Sequence, residues 1–226
     1  MEIIILAGGL GTRLGQYLGD NPKPMVIING KPFLYYLFEY LIRNNVKKVI
    51  LSVHFKHEKI IDYFGDEYKE IKILYSIDKS KLGTGGAIKN ALTFVKNKNA
   101  IIINGDTYYD VKLQELIKFH KKNKNDITLA IKPKNNFRRY GHVILDQENN
   151  VLKFTKKQFQ SFGYIDGGIF CLNKNLFKHS SKKIFSINKF ISQNINSLNI
   201  KAIKFDNKFI DIGTPKDLKE ATEFFK

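Results

Sequence analysis

A chain of 226 residues is long enough to bury one sizeable core, so a single domain is expected. Lys and Arg outnumber Asp and Glu by 38 to 21, a formal net charge of +17. The lysines are scattered, no basic run exceeds three residues, and no zinc-finger, RNP or basic-helix pattern occurs. That distribution argues against a nucleic-acid partner and for solvated surface lysines, which would still attract anionic small molecules.

No apolar stretch is long enough to span a membrane. The apolar run Ile3–Leu6 is too short for a secretory h-region and lacks a basic flank, so a soluble protein of the cytoplasm, with no membrane partner, is expected. The single cysteine, Cys171, excludes an intramolecular disulfide and, lying in Ile169-Phe170-Cys171-Leu172, reads as a buried structural thiol.

Ile3-Ile4-Ile5-Leu6 has the continuous apolar character of a buried parallel strand. It empties into Ala7-Gly8-Gly9-Leu10-Gly11-Thr12-Arg13-Leu14, followed by Pro22-Lys23-Pro24-Met25. Glycine permits positive φ and close approach of a ligand to the backbone, and successive N–H groups in such a loop can cradle an anion. Arg13 and Lys23 add a bidentate donor and a point charge suited to phosphate. Neither common phosphate loop fits. A P-loop needs Lys-Ser or Lys-Thr after its last glycine, and a dinucleotide fingerprint needs a third glycine where Leu14 stands.

The stretch resembles the G-G-x-G-T-R-L…P-K-P signature of the sugar-1-phosphate nucleotidyltransferases. An ordinary glycine-rich turn would account for Gly-Gly-x-Gly alone, but not for Thr12-Arg13 with the spaced Pro22-Lys23-Pro24. The resemblance implies an α/β fold of GT-A type, with a Rossmann-like, mixed but mostly parallel sheet flanked by helices.

The rest of the chain agrees with βαβ order. A helix is expected over 33–44, where Phe33, Leu34, Leu37, Phe38 and Leu41 keep helical spacing; strands over 48–53 and 71–75 enclose a short helix over 56–64. Leu82-Gly83-Thr84-Gly85-Gly86-Ala87 then opens a helix running to about Val95, a second glycine-rich strand-to-helix turn on the ligand side of the sheet. A buried strand over 100–103 ends in Asn104-Gly105-Asp106-Thr107. A carboxylate there, beside a phosphate site, suits Mg²⁺, which takes one or two carboxylates and completes its shell with phosphates and water. Asp110 is either a supporting carboxylate or the start of a helix over 113–122. After a strand over 127–131, short strands over 142–145, 151–155 and 164–172 form an acceptor half. A helix over 186–195, a strand over 200–205 and a terminal helix begun by Pro215 complete the chain. The single domain, 1–226, thus divides into a nucleotide-binding half, 1–132, and a sugar-phosphate-binding half, 133–226.

By resemblance, Leu6, Ala7, Gly8, Gly9, Gly11, Thr12 and Arg13 hold the nucleotide phosphates, Gly83 and Thr84 the base and ribose, and Asp106 and Asp211 the Mg²⁺. Arg13 and Lys23 are the catalytic charges. Tyr140-Gly141, Lys157, Asp166 and Gly168 match the acceptor-sugar segments, with Gly141, Lys157, Asp166 and Gly168 taken as sugar-phosphate contacts. Two departures stand out: Lys156 replaces a usual glutamate and Asp166 a usual asparagine. Asp78, just before Leu82-Gly83-Thr84, is a candidate base reader, because its two oxygens match the adjacent N1–H and N2–H of guanine.

The reaction so implied joins a nucleoside triphosphate, GTP favoured, to a sugar 1-phosphate and releases pyrophosphate. Within the family the pattern is nearest to guanylyltransferases acting on heptose 1-phosphate. Alternatives are guanylyltransferases of mannose 1-phosphate, uridylyl- or thymidylyltransferases, and a catalytically inactive regulatory homologue that binds a sugar nucleotide; a homodimer stays open. The five histidines show no metal-ligand spacing and are expected at the surface or in packing.

Overall fold

In the computed structural model, which describes residues 1–226, the opening apolar run is β1 (Ile3–Leu6). Ile3 and Ile5 face one side of the sheet and Ile4 the other, all fully buried. Two 3₁₀ segments, Thr12–Leu18 and Lys23–Met25, lead to the small hairpin β2 (Ile27–Ile28) and β3 (Lys31–Pro32) and then α1 (Phe33–Arg43). There follow β4 (Lys48–Val53), α2 (His57–Phe64), β5 (Glu67–Tyr68), β6 (Ile71–Ile77) and α3 (Gly83–Ala91). Next come β7 (Asn99–Asn104), β8 (Thr107–Tyr109), α4 (Leu113–Lys122) and β9 (Ile127–Phe137). The chain closes with β10 (Val143–Leu145), β11 (Val151–Phe154), β12 (Gln160–Asn173), α5 (Ile187–Gln193), β13 (Ile200–Lys204), β14 (Phe209–Asp211) and α6 (Pro215–Phe224).

Eight strands form one sheet in the order β13-β9-β12-β7-β1-β4-β6-β5. β7, β1, β4 and β6 run parallel, as does β13 with β9; β12 is antiparallel to both its neighbours and β5 to β6. This is the mixed, mostly parallel α/β sheet expected. Ile3, Ile5, Leu51 and Ile103 pack beneath α1, α4 and α6, and Ile4, Ile50 and Ile102 beneath α3 and α5. No helix is long and apolar enough to cross a membrane. Cys171 is buried on β12, which pushes its thiol pKa up and away from thiolate chemistry.

Two elements are longer than the apolar runs suggest. β9 continues through Pro133 to Phe137, and β12 spans 14 residues, so the two form a long antiparallel ribbon. The division at 132/133 falls inside β9. The ribbon's register shifts between Asp166 and Ile169, a bulge at Gly167-Gly168 that sequence reasoning read only as a motif. Asp110 neither caps α4 nor begins it. The N–H of Leu113 is satisfied by Asn44 Oδ1 at 3.1 Å, while the Asp110 carboxylate lies 3.8 Å from Arg43. Asn44, which ends α1, thus serves the start of α4 as well.

Beneath α4, His120 is 1% exposed, with Nδ1 2.9 Å from Thr128 Oγ1. Burial holds its imidazole neutral and lowers its pKa from 6.5 to about 4. The unfolded chain therefore binds a proton that the folded chain refuses. Stability is complete above pH 6.5 and falls as pH drops towards 4, by about 3 kcal/mol for this group. Chemical denaturation at pH 7 and 4.5 checks this: His120→Gln should lose less stability over the interval than the native chain, and an equal loss would assign the acid sensitivity elsewhere.

Candidate functional site

The parallel strands β7, β1, β4 and β6 all deliver their carboxyl ends to one side of the sheet, where open α/β sheets bind ligands. A cleft of about 480 Å³ opens there. Its wall is made by Leu6 and the loop Gly8–Thr12, Lys23 and Pro24, Ser52 of β4 and His54 just after it, Asp78, Ser80, Lys81 and Leu82 after β6, Gly83, Thr84 and Ala87 of α3, and Asn104–Asp106 at the end of β7. The structure thus brings together Leu6, Gly8, Gly9, Gly11, Thr12, Lys23, Asp78, Gly83, Thr84 and Asp106. Ala7 lies behind the wall, fully buried, its N–H donating to Ser52 O at 2.8 Å. Arg13 is exposed on the 3₁₀ turn and does not line the cleft.

The floor is set by one ion pair. Lys23 Nζ lies 2.5 Å from Asp106 Oδ2, with the lysine side chain only 8% exposed and the aspartate 39%. Gly11 makes room for it. Gly11 sits at φ +66°, and a Cβ there would lie 2.9 Å from Lys23 Cβ and 2.8 Å from Leu18 Cδ1. Gly9 differs: a Cβ would meet nothing within 4 Å.

The second glycine motif is packed from behind. Gly83 and Thr84 line the cleft, but a Cβ at Gly83 would lie 2.6 Å from Phe185 O, one at Gly85 would overlap the Phe185 ring and one at Gly86 the Lys183 carbonyl. Phe185 O accepts from Gly85 N at 2.9 Å, and Phe185 N donates to Leu82 O at 3.0 Å. Two of the N–H groups in the first turn of α3, those of Gly85 and Gly86, are therefore taken by the chain itself.

Asp78 is 7% exposed, so it is a buried part of the cleft wall and not a solvent-facing loop residue. Its carboxylate accepts from Asn90 Nδ2 at 2.8 Å, and its carbonyl oxygen lies 2.7 Å from His54 Nδ1. Burial raises its carboxyl pKa. His54, expected at the surface or in packing, is instead a cleft residue, stacked under Gly8.

Asp211 reaches Asp106 through the backbone. β14 pairs with β8, placing Asp211 opposite Thr107, and Ile212 N donates to Asp106 O at 3.0 Å. The Asp211 carboxylate is engaged by Arg139 Nη2 at 2.7 and 3.0 Å, by the Tyr140 hydroxyl and by Gly213 N at 3.0 Å. Arg139 also pairs with Asp217. Sequence reasoning passed over Arg139; its adjacency to Tyr140-Gly141 was the available signal. The Tyr140 hydroxyl thus faces Asp211. Asp106 and Asp211 offer only oxygen donors, which suits Mg²⁺, but Asp106 alone lines the cleft and no cluster of three His, Cys, Asp or Glu forms there, so phosphates and water would supply the rest of the shell.

The acceptor residues are more dispersed. Lys156 and Lys157 are exposed. Asp166 Oδ1 accepts from Gly168 N at 2.9 Å within the bulge, and burial raises its carboxyl pKa. Gly168 packs against Asn104 and Thr107, which flank Asp106. Gly141 lies beneath the Thr155 carbonyl. None of these four residues predicted for the sugar phosphate lines the cleft itself.

A strand-end cleft with a glycine loop, a lysine and a carboxylate is the architecture of a phosphate-handling transferase, and the chain belongs to the nucleotidyl transferase family, whose model matches residues 2–226. It is 49% identical, over 96% of each chain, to a D-glycero-alpha-D-manno-heptose 1-phosphate guanylyltransferase of Campylobacter jejuni subsp. jejuni serotype O:2. It is 44% identical to the Aneurinibacillus thermoaerophilus enzyme of that name, over 98% of this chain and 96% of that one. Among solved structures, HddC from Yersinia pseudotuberculosis complexed with GMP-PN superposes with a TM-score of 0.88 at 36% identity, covering 100% of this chain and 99% of that one.

The glycine geometry yields a paired test. Gly11→Ala should destabilise the fold by about 1–2 kcal/mol, the cost of left-handed backbone for a residue with a Cβ, and should cut turnover by displacing Lys23. Gly9→Ala should cost little stability. Denaturant midpoints for the two variants check this, and equal midpoints would refute the role given to Gly11.

Proposed function

We propose that the protein forms GDP-heptose and pyrophosphate from GTP and D-glycero-D-manno-heptose 1-phosphate. The observation that carries this reading is the placement, in one cleft, of a buried acceptor-only carboxylate, Asp78, across the sheet from the Lys23–Asp106 pair. Asp106 follows β7 and Asp78 follows β6, three strand spacings apart in the order β7-β1-β4-β6. At ~4.8 Å per spacing that is about 14 Å, enough to separate a base from its reacting phosphate. The family and the two guanylyltransferase relatives support the same reading.

The sugar phosphate oxygen is ionised near neutral pH, so it attacks the α-phosphorus without a general base, and pyrophosphate leaves. Catalysis is then positioning and charge. The Gly8–Thr12 amides cradle the triphosphate. Arg13, exposed at the rim, folds onto the β- and γ-phosphates and the departing pyrophosphate. Lys23, locked against Asp106, holds the phosphates across the line of attack. Asp106 and Asp211 would hold Mg²⁺, which when bound offsets charge on the α-phosphate. Arg139, now on Asp211, is placed to keep that carboxylate ionised and oriented. Lys157 and the Asp166–Gly168 bulge face the acceptor.

Pyrophosphate release over a panel of triphosphates and sugar 1-phosphates tests the whole assignment; a preference for another sugar would correct it. Asp106→Asn and Asp211→Asn, which keep a carbonyl for Lys23 and Arg139, should each lower turnover by about a hundredfold or more. Near-native activity of either in Mg²⁺ would remove that aspartate from the metal site.

Guanine offers two adjacent N–H donors, whereas uracil and thymine offer one N–H between two carbonyls. A carboxylate suits the first and repels the second. Asp78→Asn should therefore reduce the GTP-over-UTP preference by roughly tenfold to a hundredfold, the discrimination typical of a bidentate base contact. Side-by-side kcat/KM values check it, and an unchanged preference would free Asp78 of the role.

A further inference from the structure

Asp78 is unusual for its surroundings. The chain carries 38 basic residues. Lys79 and Lys81 flank Asp78 closely and are exposed. Yet the buried Asp78 carboxylate pairs with none of them; its side-chain partner is the neutral amide of Asn90, at 2.8 Å. Its backbone is fixed separately, by Asp78 N donating to Val53 O at 2.9 Å and by His54 on the carbonyl at 2.7 Å. The carboxylate rotamer therefore depends on Asn90.

We propose that Asn90 is a positioning residue for nucleobase selection: it fixes the Asp78 carboxylate in the cleft wall without cancelling its charge, and so sets the preference for a base edge with two adjacent N–H donors. The inference rests on the reading of Asp78 as the group that meets the base. A lysine at position 90 would orient the carboxylate equally well but would neutralise it and fill its lone pairs with ammonium protons. The uncharged Asn90 amide makes one bond, to Oδ1. Each carboxylate oxygen has two lone pairs, so Oδ1 can accept from Asn90 and from a base together.

Asn90 also has the support that a positioning residue needs. It lies near the end of α3, between the fully buried Ile88 and Ala91. The start of that helix is fastened through Gly85 to Phe185 O. Its end is fastened by Lys89, whose Nζ lies 2.5 Å from Ser180 O and 3.3 Å from Lys182 O. The amide is therefore presented from a helix tied down at both ends. Burial pushes the Asp78 carboxyl towards its neutral form, and the Asn90 bond pulls it back towards the carboxylate that base reading requires.

The test compares the native protein, Asn90→Ala, Asp78→Asn and the double variant, each assayed with GTP and with UTP on heptose 1-phosphate. Calorimetric binding of both nucleotides gives a readout independent of turnover. Asn90→Ala should lower the GTP-to-UTP ratio of kcat/KM about three- to tenfold, the net worth of one typical hydrogen bond. Asp78→Asn should lower it further, and the double variant should be no less selective than Asp78→Asn alone. Asn90→Leu, similar in size and without a donor, serves if the alanine variant does not fold. A full ratio in the Asn90 variants beside a reduced one in Asp78→Asn overturns the inference and leaves the base reading standing. An equal loss with both nucleotides makes Asn90 merely structural and also overturns it. A native ratio in Asp78→Asn overturns the base reading, and the inference falls with it.

Discussion

A lysine with only 8% of its side chain exposed needs a partner, because an uncompensated charge is expensive to bury. Lys23 meets that need with Asp106, 83 residues away in sequence. The bond ties the first glycine motif to the end of β7 and leaves Asp106 39% exposed on the cleft side. Gly11 gives it space, since any side chain there would press on Lys23. Asp106 is held from behind by the turn that Gly168 packs against, and its carbonyl anchors Ile212 beside Asp211. The first glycine loop, the two aspartates proposed for the metal and the β12 bulge are thus arranged around a single short ion pair.

The charges of the site follow one rule. Asp106 is matched by Lys23, and Asp211 by Arg139, so the two carboxylates proposed for the metal each carry a cation already. Asp78 alone is left with an amide. On a surface with a net charge of +17, a buried acid kept away from every lysine has to be shielded by its fold. Asp78 is buried in the cleft wall, and the exposed Lys79 and Lys81 beside it in the chain form no ion pair with it. In the proposed reading, the positive surface draws phosphates and the Asp78 wall draws a donor-rich base edge.

Much of this was legible in the chain because it is written locally. Ile3–Leu6, the loop from Gly8 to Thr12, and the turns at Leu82 and Asn104 each announce a strand end followed by a ligand-facing loop, and all of them line the cleft. What was not legible depends on residues far apart. Gly85 and Gly86 follow Gly83 in the same motif, but they are small because Phe185 and Lys183 rest on them. The partners of Arg139 were not legible, since Asp211 and Asp217 lie more than 70 residues on. His54 gave no spacing signal, because a single side chain has no period. The β9–β12 ribbon was underestimated because Pro133, Asn135 and Gly163 weaken strand propensity, while pairing in the ribbon overrides it.

The fastening of α3 to Phe185 also governs how the molecule can breathe. Residues 180–186 lie far beyond α3 in the chain, yet they hold that helix at its first turn and again at Lys89. β9 runs unbroken across residues 132 and 133. Swinging the chain after residue 133 away from the part before it would break these bonds and bend a strand in mid-sheet. A disturbance in the segment at 180–186 therefore reaches the cleft wall directly, through α3 and without a hinge.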